Sequence, residues 1–158
     1  MKTFRIAVLL AAICALAGGC GKAPPGPAAG DKPQLRRAVP PHGGTAVPLG
    51  DDYNLELVLD AGQGTLSAYV LDDDMEEFIR SSSASITIEA SFGGQTRTLI
   101  LGAVANPATG EAVGDTSLFQ GRADWLRTTP GFEGNLASLT IRTTTFTDTK
   151  FKFPGKVN

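Results

Sequence analysis

Ile86-Thr87-Ile88-Glu89-Ala90-Ser91-Phe92-Gly93-Gly94-Gln95-Thr96-Arg97-Thr98-Leu99-Ile100-Leu101 is the stretch that decides the fold. Ile86, Ile88, Ala90 and Phe92 fall on one face, and Thr87, Glu89 and Ser91 on the other. A period of two describes a strand with one face buried and one in water. Gly93-Gly94 then supplies the positive φ that a two-residue turn demands, and a second strand-forming run follows. The pattern predicts an antiparallel hairpin.

Working outward, a second hairpin reads similarly. Residues 53–59 alternate, with Leu55, Leu57 and Leu59 inward; Ala61-Gly62-Gln63-Gly64 turns the chain, and 65–71 returns. Towards the C-terminus, 136–142 and 145–153 are rich in Thr and Phe, which suit a pleated surface. The parity of apolar positions shifts between Ile141, Phe146 and Phe151, so a turn near Thr143 and Thr144 and a bulge are expected. Two segments read as short helical turns. Residues 72–80 open on Asp72-Asp73-Asp74 and close on Arg80, as a helix dipole prefers. Residues 123–127 form the other, stopped by Thr128-Thr129-Pro130-Gly131. The expected fold is therefore all-β: an antiparallel β-sandwich, immunoglobulin-like in general shape, with one or two short helical turns. A small barrel is the alternative.

The whole chain is 158 residues with a formal charge of −2, and 42% of it is hydrophobic. That charge argues against nucleic-acid binding held by phosphate contacts. Two Cys and one His leave no disulfide framework and no zinc cluster.

The charge is unevenly spread. Residues 21–41 include six Pro, four Lys or Arg and one Asp, whereas 42–158 hold 15 Asp or Glu against 8 Lys or Arg. The first composition cannot bury a core and reads as a tether. The second belongs to one acidic domain large enough to have its own core.

The chain opens MKTFRIAVLLAAICALAGGC, with Lys2 and Arg5 before an uncharged apolar run. Residues 6–17 are too few to span a bilayer and suit a secretory signal. Leu16-Ala17-Gly18-Gly19-Cys20 places small residues directly before a cysteine. This resembles the lipobox of bacterial lipoproteins, with Leu16 one place further upstream than in the commonest pattern. The resemblance implies a signal peptide over 1–19, diacylglyceryl attachment to the Cys20 sulfur, and acylation of the new amine. Several acyl chains on one residue give stable membrane anchoring. Gly21, a non-Asp residue after the cysteine, implies sorting to the outer membrane. The domain organisation read here is signal peptide 1–19, lipidated Cys20 and tether to 41, and β-domain 42–158.

Candidate chemistry is sparse. His42 is the one histidine and sits in Pro40-Pro41-His42-Gly43-Gly44, where its imidazole is accessible as a metal ligand or packs on the first strand. Asp72, Asp73, Asp74, Glu76 and Glu77 form the densest carboxylate run, fit for a hard cation or simply a solvated turn. The divalent-metal set these residues offer is His42 with Asp72, Asp74 and Glu76; no other cofactor is implied. There is no Gly-x-Ser-x-Gly, and a catalytic triad could use only His42. Trp125, near Phe119 and Phe132, reads as a core anchor or an exposed contact. Residues 102–117 are the longest irregular stretch, and loops carried by a rigid β scaffold are the usual binding surface.

His42-Gly43-Gly44, the run from Leu49 to Val58, and Ala68-Tyr69-Val70-Leu71-Asp72 together resemble small envelope β-domains of bacteria. Some similar segments accompany heavy-metal efflux adaptors. The adaptors' helical hairpin and lipoyl-like halves have no counterpart here, so transport activity does not carry over.

The expectation is a lipoprotein of the outer membrane facing the periplasm, held through its lipid, whose non-catalytic β-domain binds an envelope protein. A metal-binding accessory protein is the alternative, and a small hydrolase a third. The hydrolase needs a concave site with two carboxylates, or His42 beside a serine.

Overall fold

The computed structural model describes residues 39–154. The signal peptide 1–19, Cys20 and the tether as far as residue 38 lie outside the described residues. Eight strands follow in order: β1 (Thr45–Leu49), β2 (Tyr53–Asp60), β3 (Thr65–Asp72), β4 (Ser85–Phe92), β5 (Gln95–Ala103), β6 (Leu118–Arg122), β7 (Phe132–Ile141) and β8 (Thr144–Phe153). A single 3-10 turn, Asp124–Arg127, precedes β7.

The central hairpin forms as its alternation dictates. β4 and β5 pair antiparallel from Ser85↔Gly102 to Phe92↔Gln95, and Gly93 and Gly94 take φ of +55° and +74°. β2 and β3 pair from Tyr53↔Asp72 to Asp60↔Thr65. β7 and β8 pair across a two-residue turn at Arg142 and Thr143, with Arg142 at φ +54°. The expected bulge takes a different form. The register keeps one offset throughout, but Asp148 sits at φ +51° and the Ala137–Asp148 pair is missing from the ladder.

The fold is all-β and antiparallel, as its alternation predicts. The strands do not separate into two independent sheets. They form one ladder, β1-β2-β3-β6-β5-β4-β7-β8, and its ends come close to closing it into a barrel. The Tyr53 and Phe146 rings meet edge to face at 6.1 Å across that closure. Two four-stranded halves join through β5 and β6, at Gly102↔Gln120 and Ala103↔Phe119, extended by Val104 N–H donating to the Leu118 carbonyl. Inward side chains of both halves make a single core, including Leu57, Leu66, Ile88, Leu101, Phe119, Leu136 and Ile141. Fully burying each large aliphatic side chain contributes about 1.5–3 kcal/mol, so this shared core is what holds the halves together.

Of the two expected helical turns, one forms. The Asp124–Arg127 turn carries Trp125, which packs on the core edge, stacked on Phe92 at 5.0 Å and edge-on to Phe132 at 5.8 Å. Residues 72–80 are not helical. Asp72 Oδ1 accepts from the backbone N–H groups of Glu76 and Glu77, and Asp72 N–H donates to the Glu77 carbonyl. Asn54 Nδ2 donates to the carbonyls of Asp72 and Asp73. Met75 adopts φ +59° and is buried. Left-handed backbone costs a non-glycine residue about 1–2 kcal/mol, which burial of the methionine, worth about 1.5–3 kcal/mol, offsets. The chain then turns back beside β3, with Leu71 bridging Phe78 and Ile79 N–H donating to Val70.

Candidate functional site

The alternation of β2 points Glu56 to the outer face of the sheet, yet it is wholly buried. The chain entering the domain makes this possible by folding back over it. Gly44 passes so close to β2 that a Cβ would sit 2.5 Å from the Leu57 carbonyl oxygen, which excludes a side chain there. Glu56 Oε1 accepts from the N–H groups of His42 and Gly44, both at 2.9 Å. His42 Nδ1 bonds Oε2 at 2.8 Å. One carboxylate therefore clips residues 42–44 to the sheet. A buried polar group is tolerated when its hydrogen bonds are made in this way.

The His42 ring stacks on Tyr69 of β3, with centroids 4.0 Å apart and planes 15° from parallel. Phe78 leans over both, at 5.9 Å from His42 and 6.0 Å from Tyr69. Phe78 remains 50% exposed. Next to this aromatic group lies a cleft of about 330 Å³, with Tyr69 and Leu118 on the sheet, Phe78 and Arg80 on one wall, and the loop after β5 on the other.

That loop is firmly built. Asn106 and Glu111 exchange two backbone bonds, as do Ala112 and Asp115. Ser81 and Thr116 form a further bridge. Buried Thr116 donates through Oγ1 to the Val104 carbonyl at 2.6 Å. Arg80 donates to Asp115 Oδ2 at 2.8 Å and to the Thr109 carbonyl at 2.6 Å. Glu111 accepts from Ser117 N–H and Oγ through Oε1, and from Thr109 Oγ1 through Oε2. Burial pushes the Glu111 carboxyl up. The bonds from Ser117 and Thr109, with the nearby Arg80 charge, outweigh it, and the net result lies below the ordinary 4.5. The cleft thus has an apolar floor and polar walls whose hydrogen bonds are already made.

A second concavity, about 480 Å³, runs over β4, β7 and β8, lined by Glu89, Ser91, Glu133, Asn135, Lys150 and Lys152 among others. It supplies the two carboxylates that a hydrolase requires. Glu89 faces Asn135 and Glu133 faces Ser91 across the β4–β7 ladder, so the two are diagonal neighbours. Both are exposed. They lack the contrast in burial that lets one carboxylate act as acid and another as nucleophile.

The predicted metal set does not assemble. His42 is bound to Glu56, while Asp72 caps its own turn and Asp74 and Glu76 point into solvent. Among the described residues no group of three or more His, Cys, Asp or Glu is placed to hold a metal ion. Ser81 Oγ donates to the Thr140 carbonyl and Ser83 Oγ accepts from Thr140 N–H, so both hydroxyls tie the chain to β7. Of the stretch 102–117 expected to be irregular, Gly102 and Ala103 belong to β5 and pair with β6, and the loop that follows walls the cleft through Asn106, Thr109, Glu111 and Ser117. Glu56, Tyr69 and Phe78 were not singled out by sequence. Only the glycines beside His42 hint at a chain folded back over β2. No family model, curated protein or solved structure matches this chain.

Proposed function

We propose that this chain is a lipoprotein anchored in the outer membrane through Cys20, facing the periplasm, whose β-domain is a non-catalytic binding module working through the cleft beside His42. The lipobox-like Leu16-Ala17-Gly18-Gly19-Cys20 supports the anchor. The observation that carries the binding role is the half-exposed Phe78 beside Tyr69 and Leu118, facing a loop wall whose polar groups are already satisfied. Ligand sites are concave, mostly apolar and largely pre-formed, and this cleft has each property at a volume within their lower range. Its polar side chains bond to one another and so favour holding over chemistry.

The test is titration of the purified full-length chain with indole, an uncharged aromatic probe, followed by amide chemical shifts. Saturable shifts confined to Tyr69, Phe78, Thr109 and Leu118 are expected. Absent shifts, or shifts scattered equally over the β4–β7–β8 face, overturn the binding role. Anchoring is tested separately: Cys20→Ala is expected to move the protein from the membrane to the soluble fraction, and retention in the membrane overturns it.

A further inference from the structure

The cleft's surroundings identify the kind of partner it fits. On one side lies the capped turn with Asp72, Asp73, Asp74, Glu76 and Glu77, of which all but Asp72 are exposed. Its last residue, Glu77, directly precedes Phe78 on the cleft wall. On the other side, the loop adds Glu111, held ionised by Ser117 and Thr109, and Asp115. The turn that leads into Phe78 thus carries five carboxylates, and the loop adds Glu111 on the cleft wall and Asp115 paired to Arg80. The nearest cation, Arg80, is already engaged by Asp115 and the Thr109 carbonyl. The β1–β2 turn brings Asp51 and Asp52 to the same end of the sheet, because Tyr53 pairs with Asp72.

This arrangement is selective in two ways. An apolar or aromatic side chain entering between Phe78, Tyr69 and Leu118 removes the exposed Phe78 face from water, and aromatic anchors dominate interface energetics. A collar of one sign attracts the opposite sign, speeds encounter and rejects like charge. The carboxylates lie at the rim, where their effect is screened beyond roughly 8 Å at physiological salt, so they act on groups directly flanking the anchor.

Resting on the binding role proposed above, we infer that the cleft receives a protein segment in which one aromatic or large apolar side chain is flanked by lysines or arginines. The apolar residue fills the opening and the basic flanks lie over the turn at 72–77.

The experiment measures binding of three labelled peptides to the full-length chain by fluorescence anisotropy: tryptophan flanked by three lysines on each side, the same peptide with glutamates for lysines, and the lysine peptide with glycine for tryptophan. The lysine–tryptophan peptide is expected to bind at least about tenfold tighter than either control, and to weaken as salt rises. Phe78→Ala and the triple variant Asp74→Asn, Glu76→Gln, Glu77→Gln are each expected to weaken it by about tenfold. The triple variant leaves the Asp72 cap intact, so the turn keeps its shape. Equal binding of the glutamate peptide, equal binding of the glycine peptide, or full affinity in either variant overturns the inference. Should indole fill the cleft while the peptides do not discriminate, the basic partner falls and the binding site stands; should indole also fail, both fall.

Discussion

The trough over β4, β7 and β8 is the larger concavity, about 480 Å³ against about 330 Å³ for the cleft beside Phe78. Both lie on the outward side of the same ladder. In the trough, outward side chains simply follow strand alternation, and Glu89, Glu133, Lys150 and Lys152 stand in water. Around the cleft, the alternation is overridden. Glu56 of β2 is buried under His42, Thr116 is buried within the β5–β6 loop, and each is tied into a hydrogen-bond network. Size does not distinguish a built site from a gap between side chains; committed and buried polar groups do.

The sharpest way to break this contrast is to remove one acid from each region, buried beside the cleft and exposed in the trough. Glu56→Ala leaves the His42 and Gly44 N–H groups without their acceptor and is expected to cost about 3 kcal/mol in urea unfolding. Glu133→Ala, in the trough, is expected to stay within about 0.5 kcal/mol. Similar costs for both would erase the distinction. Next in size is Thr116→Val, which keeps the shape but removes the bond to Val104; a loss of about 2 kcal/mol is expected, with weaker indole binding because the cleft wall loosens. Unchanged indole affinity would show that the loop is not part of the site.

Phe78→Ala should separate holding from folding. Because the ring is half exposed, a stability loss under about 1 kcal/mol is expected, while indole affinity drops by about tenfold. A large stability loss with intact affinity would make Phe78 a packing residue. The smallest effect concerns acid. A carboxyl lowered in the folded state stabilises it fully above the unfolded value and loses that contribution as pH falls through the folded one. For Glu111 the loss begins near 4.5 and is complete below its lowered value. Glu111→Gln is therefore expected to flatten the fall in melting temperature below pH 4.5; an unchanged slope would show that its bonds to Ser117 and Thr109 contribute little.

Much of the fold was legible because period two recurs. The hairpins at Gly93-Gly94 and at 61–64 follow from alternation and turn chemistry alone, and the last pair from its Thr and Phe content. Residues 72–80 misled because Asp caps and a terminal Arg suit a helix and a capped turn equally; what decides between them is the backbone pairing of Phe78 and Ile79 with β3, which lies far from any local signal. Whether the ladder splits or curls depends on the short β5–β6 seam, and the five-residue β6 carries too few positions to display a period. The loop between β5 and β6 was legible as a surface from its turn formers, although its first two expected residues, Gly102 and Ala103, belong to β5. The cleft was not, since it depends on residues 42, 69, 78 and 118, which no local pattern links.

The Glu56 clip also determines how the domain bears load. Tension applied to the chain from its N-terminal side reaches residues 42–44 before it reaches strand β1. Two backbone bonds and the His42 ring bond, all converging on one carboxylate, must open together before the first rung of the β1–β2 ladder, Thr45↔Leu57, is pulled. The clip thus behaves as a mechanical stop in series with the sheet, taking up strain at the point of entry while the barrel behind it keeps its shape.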